Sequence, residues 1–177
     1  MLQNILLNFS TETFEYKMYS NSSLEKEMLN DFEKDEAIQS YLCDFKEYIS
    51  ETENDIRNGI QPLRFTNIIY YQGVPIGLVT LYVLEDEAII SQGISPEFRG
   101  NRFSSSMKKE LCNYVFSNTN IEKIIGYVES TNERSINSSK KIGLIGPETV
   151  VDSANNKTYF KYTYNRQDIL GEMPKAI

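Results

Sequence analysis

The chain has 177 residues, with 18 Lys and Arg against 25 Asp and Glu, and a formal charge of −7. It has no His, no Trp and 2 Cys. The length suits one domain, spanning 1–177. The acidic balance argues against a nucleic-acid partner held by a broad basic surface. The missing imidazole excludes Ser-His-Asp and Cys-His hydrolases and His-ligated metal centres, so no metal is expected.

Residues 13–19 place Phe14, Tyr16 and Met18 on one face, the period of a strand. Ser22 to Glu25 reads as a capping box opening a helix with Leu24, Met28 and Phe32 as its apolar side. Ile38, Leu42, Phe45 and Ile49 repeat at helical spacing and predict a second helix, with Glu51–Gly59 as a loop or frayed end. Three strands follow over 65–71, 75–84 and 88–94, joined by turns at Gln72-Gly73 and Glu85–Glu87, an antiparallel meander.

The period then lengthens. Phe103, Met107, Leu111 and Val115 recur every four residues, an amphipathic helix over 101–117, with Lys108 and Lys109 elsewhere on the wheel. Residues 123–128 form a strand, so a right-handed βαβ crossover is expected. Ser130 to Glu133 reads as a second capping box, opening a helix that ends in Lys140-Lys141 and stops at Gly143. Residues 149–151 and 157–164 make a closing hairpin, and 166–177 a loose tail. The fold class is α+β (mixed α/β): a mostly antiparallel sheet with one parallel crossover and helices on both faces. Cys43 and Cys112 are isolated, as in a reduced cytoplasm. The N-terminus lacks a basic leader and no apolar run reaches ~20 residues. A soluble cytoplasmic protein without membrane contact is expected.

Chemistry concentrates at Ile94-Ser-Pro-Glu-Phe-Arg-Gly-Asn-Arg-Phe-Ser104. A strand stops, Pro96 breaks its ladder, and a helix begins within a few residues. The first N–H groups of a helix have no internal partner and favour an anion. Gly100 permits close backbone approach, and Arg99 and Arg102 add positive charge in an acidic chain.

This segment resembles the pyrophosphate loop of the GNAT superfamily of N-acetyltransferases, Gln/Arg-x-x-Gly-x-Gly/Ala. Arg99 takes the leading basic position, Arg102 stands where the family usually has Gly, and Ser104 where it has Gly or Ala. A second stretch, Val128-x-x-x-Asn132-x-x-Ser135 followed by Lys141-x-Gly143-Leu144, is similar to the family's asparagine-led helix, as in its ribosomal-protein-modifying branch. The resemblance spans about 13–164. It implies transfer of an acetyl group from acetyl-CoA to a primary amine of a small molecule or peptide. Backbone groups of Gly93 and Ile94 would bind the pantetheine arm. Residues Gly100, Asn101, Arg102, Phe103 and Ser104 would hold the pyrophosphate beside Arg99, with Asn132 and Ser135 near the crossover.

Removing a proton from the attacking amine calls for a carboxylate or water. Glu87 is the first choice, with Glu85 and Glu129 as rivals. The family's usual tyrosine acid falls at Ser139, with Tyr127, Tyr70 and Tyr71 as substitutes. The acidity of the chain favours a cationic acceptor, and a homodimer stays open. The competing class is a catalytically weak or inactive CoA-binding or protein-interaction module on the same fold.

Overall fold

The computed structural model describes residues 2–42, 44–142 and 147–171. Its elements run α1 (Gln3–Leu6), β1 (Phe9–Ser10), β2 (Glu15–Lys17), α2 (Ser23–Lys34), α3 (Glu36–Tyr41), α4 (Phe45–Arg57), β3 (Arg64–Tyr71), β4 (Val74–Leu84), β5 (Glu87–Ile94), α5 (Phe103–Asn118), β6 (Lys123–Glu129), α6 (Glu133–Lys140), β7 (Glu148–Asp152), β8 (Lys157–Asn165) and α7 (Arg166–Leu170), with a 3-10 turn at Pro96–Phe98. The eight strands form one sheet in the order β1-β2-β3-β4-β5-β6-β8-β7. Every pair is antiparallel except β5–β6. The mixed α/β architecture expected from the sequence is the one observed.

Helices cover both faces because β3 and β4 are apolar on both sides. Ile69, Val79, Leu81 and Val83 join Met107, Leu111, Val115 and Phe116 of α5 in one buried cluster. Ile68 and Leu78 join Met28, Phe32, Ile38, Phe45 and Ile49 of α2–α4 in another. Helix α2 starts at the capping box the sequence announces. Its Glu25 is fully buried and accepts hydrogen bonds from Ser20, Ser22 and Tyr70. Burial pushes the Glu25 pKa up, but those donors outweigh it and hold the carboxyl below its ordinary value.

Several elements differ from the sequence expectation. The helix expected through Ile38 and Ile49 is two helices, because Leu42 leaves the helical region at φ −147 and ψ 39. Nothing local marks that break; Leu42 and Phe45 are both drawn into the same core. Helix α4 continues through Arg57, where a loop or frayed end was expected, because Thr52 is buried and donates to the Tyr48 and Arg64 carbonyls. Leu24 is exposed, and Glu25 takes the buried position instead. The capping box expected at Ser130 does not form: Asn132 itself caps α6, accepting from the Ser135 amide at 3.1 Å. Elements α1 and β1 precede the first strand read from periodicity. The expected loose tail begins with α7, and Arg166 donates to the carbonyls of Phe116, Thr119 and Ile121. Cys43, the helix stop at Gly143 with Leu144, and residues 172–177 lie outside the described residues. Among the described residues no helix is long and apolar enough to cross a membrane.

Candidate active site

The site begins with a disagreement between neighbouring strands. β5 and β6 pair only from Glu87–Lys123 to Ile89–Ile125. Past Ile89, β5 stays on β4 as far as Ile94, while β6 follows β8 to Glu129. Each strand keeps its antiparallel partner and gives up the shared edge. A fork opens between them, and a strand edge without a neighbour offers N–H and C=O groups to whatever enters.

Two connected cavities occupy this fork. The larger, about 750 Å³, runs past Arg99, Gly100 and the first turn of α5, a size suited to a small organic ligand. The smaller, about 150 Å³, lies deeper, between Ile90, Gln92, Lys108, Tyr127, Glu129 and Ser139. Tyr41, Leu42, Gln92, Asn132 and Ser135 line both, so the two are continuous.

At the outer end, Gly100 has φ +86 and Arg102 φ 62, both left-handed. These two turns swing the chain so that α5, 16 residues long, points its N-terminus at the groove. Among the described residues no side chain caps that end, and its first turn carries no acid. Its free N–H groups and macrodipole therefore remain available to an anion.

Arg99 itself is engaged. Its guanidinium makes a bidentate pair with Asp35 at 2.8 Å on each branch, and Nε donates to the Ile94 carbonyl at 3.1 Å. It thus ties the loop to the start of α3, where Asp35 also accepts from the Ile38 amide at 2.8 Å. The Arg99 hydrogen bonds hold the Asp35 carboxyl below its ordinary value. That pair adds stability above the usual carboxylate range, and the stability is lost as pH falls through the lowered native value. Asp35→Ala is expected to cost about 2 kcal/mol, from one lost cap and one partly exposed charge pair. Chemical denaturation at pH 7 checks this, and at pH 3 the gap should narrow.

The other expected site residues divide. Ser104 is held between strands and helices: its Oγ accepts from Gln92 Nε2 at 2.8 Å and meets Ser138 Oγ at 2.9 Å. Phe103 packs on Phe14 and Tyr71 rather than standing free. Asn101 donates to the Phe98 carbonyl. Gly93 lines the groove at a point where a Cβ would lie 2.8 Å from Ile38 and 3.0 Å from Leu42. Ile94 lines the same groove, and Asn132 and Ser135 reach both cavities. Tyr127 and Ser139 line the deep one, Tyr127 half exposed and Ser139 buried.

Glu87 is not brought to the fork. It stands at the closed end, exposed and paired with Lys123 at 2.8 Å. That lysine's hydrogen bond lowers its pKa, the opposite of what a base needs. Of the acids weighed, Glu129 lines the deep cavity, where it accepts from Lys157 and Thr131.

The sequence reading passed over Lys108 and Gln92. Lys108 is 5% exposed, lines the deep cavity and donates to Ser139 Oγ at 3.1 Å, with no carboxylate paired to it among the described residues. Burial pulls its pKa down to about 8. The available signal was Cys112 and Phe116, apolar at four and eight residues beyond Lys108 on the same helix. Gln92 Oε1 is buried and lacks a hydrogen-bond partner among the described residues. An orphaned acceptor in a cleft between strand edges suits a ligand arm that carries amide N–H groups.

Residues 11–145 match the family described as an acetyltransferase (GNAT) domain, and the chain belongs to that family. The fork, the uncapped helix and the orphaned acceptor together fit acetyl-CoA, the family's acyl donor. The chain is thus an acyl-CoA-dependent N-acetyltransferase, moving acetyl groups to amines.

Solved structures share the fold. The chain is similar to spermidine N-acetyltransferase from Vibrio cholerae in complex with CoA and spermine, at 16% identity and TM-score 0.71, covering 90% of this chain and 99% of that one. It is similar to a probable acetyltransferase, at 14% identity and TM-score 0.70, covering 89% and 95%. A dodecameric spermidine N-acetyltransferase from Vibrio cholerae aligns at 18% identity and TM-score 0.60, covering 71% and 77%. No curated protein matches by sequence.

Proposed function

We propose that the acceptor is a cationic small amine of the polyamine type, taken up at the deep end of the fork. The observation that carries this reading is the lining of that end. Tyr41, Tyr127 and Tyr159 surround it, with the Glu129 carboxylate at its wall. Aromatic faces attract cations, and a carboxylate adds Coulomb attraction. The chain's charge of −7 would draw the same ligands. The spermine seen in the Vibrio cholerae enzyme supports the choice.

The donor's pyrophosphate would lie against the backbone of Gly100 to Ser104 at the start of α5. Its amide-bearing arm would run along the free edge of β5, past Gln92. Arg99 positions this loop through Asp35 rather than meeting the phosphates directly. The thioester supplies an activated acetyl group. The protein supplies orientation, worth several kcal/mol.

Mixing the protein with acetyl-CoA and an amine panel, and following free thiol, tests the reading. Spermidine and spermine should exceed a monoamine of similar length by about tenfold in kcat/KM, the worth of one extra desolvated cation contact. Equal rates would remove the polyamine assignment. CoA binding without turnover of any amine would favour an inactive module. A homo-oligomer is expected, and light scattering checks it.

A further inference from the structure

We propose that Lys108 is the catalytic acid that returns a proton to the departing thiolate, with Ser139 positioning its ammonium. The proposal rests on the acetyl-transfer reading above and adds a residue to it.

The geometry starts from an unusual burial. A lysine is almost never fully buried unless paired, and removing an ammonium from water is costly. Lys108 is nevertheless 5% exposed on the inner face of α5, and its hydrogen bond goes to a neutral hydroxyl, Ser139 Oγ, at 3.1 Å. Ser139 is itself 1% exposed. Both side chains line the wall of the deep cavity, where β5 and β6 have parted. A cation held there with no anion paired to it among the described residues is matched to negative charge that forms only during reaction.

The chemistry that occurs in such a fork produces that charge. The amine nitrogen attacks the thioester carbonyl carbon and forms the C–N bond. The C–S bond breaks and its electron pair stays on sulfur. Lys108 Nζ donates a proton to sulfur and yields the free thiol. The proton shed by the attacking nitrogen passes through water and the Ser139 hydroxyl to Lys108, and restores the ammonium. One proton leaves nitrogen and one arrives at sulfur, so the step balances.

The titratable groups facing Lys108 do not serve as well. Cys112, one turn along α5, is buried and its thiol is pushed up to about 12. Tyr164 on β8 is raised strongly by burial. Tyr41, Tyr127 and Tyr159 line the same cavity, Tyr41 and Tyr127 half exposed, and Glu129 is already held by Lys157 and Thr131. Lys108 is brought close to the ordinary thiol range of ~8.5, where a proton moves to sulfur with little free-energy difference.

The test uses the full chain and CoA. Thiolate absorbance of bound CoA is titrated with pH in wild type, Lys108→Met and Lys108→Arg, and CoA affinity is measured by calorimetry in each. Lys108→Met should raise the bound thiol's pKa by about one unit or more. Lys108→Arg keeps the charge and should hold it low, yet cannot release a proton. Both variants should lose about 100-fold in kcat and the fall of kcat above pH 8. If Lys108→Met does not fold, Lys108→Gln takes its place. Unchanged thiol titration in a variant that binds CoA, with wild-type turnover intact, overturns the assignment of Lys108 alone. Failure of wild type to bind CoA overturns the acetyl-transfer reading and this inference with it.

Discussion

Lys108→Met should make the protein more stable, by about 3 kcal/mol at pH 7. The native pKa of about 8 lies well below the ordinary 10.5, and each unit corresponds to ~1.4 kcal/mol. The sign follows from proton counting. Between pH 8 and 10.5 the unfolded chain holds a proton on Lys108 that the folded chain has released. Stability from this group therefore rises with pH across that window. Below pH 8 both states are protonated and the full burial penalty applies. Methionine is close in volume, carries no charge and suits the apolar neighbours Cys112 and Met107. A chain of this length should gain about 10 °C in Tm at pH 7, and the gain should vanish near pH 10.5. Calorimetry across pH checks both statements. A lower Tm for the variant would mean that Lys108 stabilises the fold. Coupled with the activity loss expected above, the gain would mark Lys108 as a residue kept for chemistry at the cost of stability.

The second large effect is expected at Gly77. It pairs with Ile94 where β4 and β5 run together into the fork. A Cβ there would collide with the Gly93 carbonyl, a backbone atom that cannot swing aside, and would sit 3.3 Å from Ile94 Cα. Gly77→Ala must therefore move β5 at the groove wall, at a cost of about 2 kcal/mol in strain. Because the displaced residues line the groove, acetyl-CoA affinity should fall about tenfold as well. Gly73→Ala is the control: its Cβ would meet nothing within 4 Å, although its φ of +79 carries a turn penalty. Chemical denaturation and calorimetry with CoA read the two effects. Equal affinity in Gly77→Ala and wild type would show that the end of β5 is not part of the donor site.

Most of the sheet was legible because its strands carry strong local signals. β3, β4 and β5 are long, rich in β-branched and aromatic residues, and divided by Gln72-Gly73 and Glu85–Glu87, where Gln72, Gly73 and Glu85 adopt positive φ. The apolar repeat of α5 and the capping box of α2 are likewise properties of neighbouring residues. The break at Leu42 was not legible. It follows from where two apolar side chains must go in a shared core, and no local residue encodes it. α1 and β1 were missed for a related reason. Two strand residues are too few for a period, and β1 exists through its pairing with β2.

The candidate site divides along the same line. Composition alone removed imidazole chemistry, because a missing residue type is missing in every fold. The junction after Ile94 was readable because Pro96, Gly100 and the start of α5 are contiguous. Partnerships across the chain were not. Arg99 meets Asp35 at a separation of 64 residues, Ser104 meets Ser138 at 34, and Lys108 meets Ser139 at 31. Only the packing of α2–α4, α5 and α6 around the fork decided that Arg99 is a clamp, that Glu87 stands outside, and that a lysine assigned to the wheel's polar side is buried. Sequence periodicity says which face of a helix is apolar. It does not say how wide the covering will be, because that width is set by the neighbours the chain brings from far away.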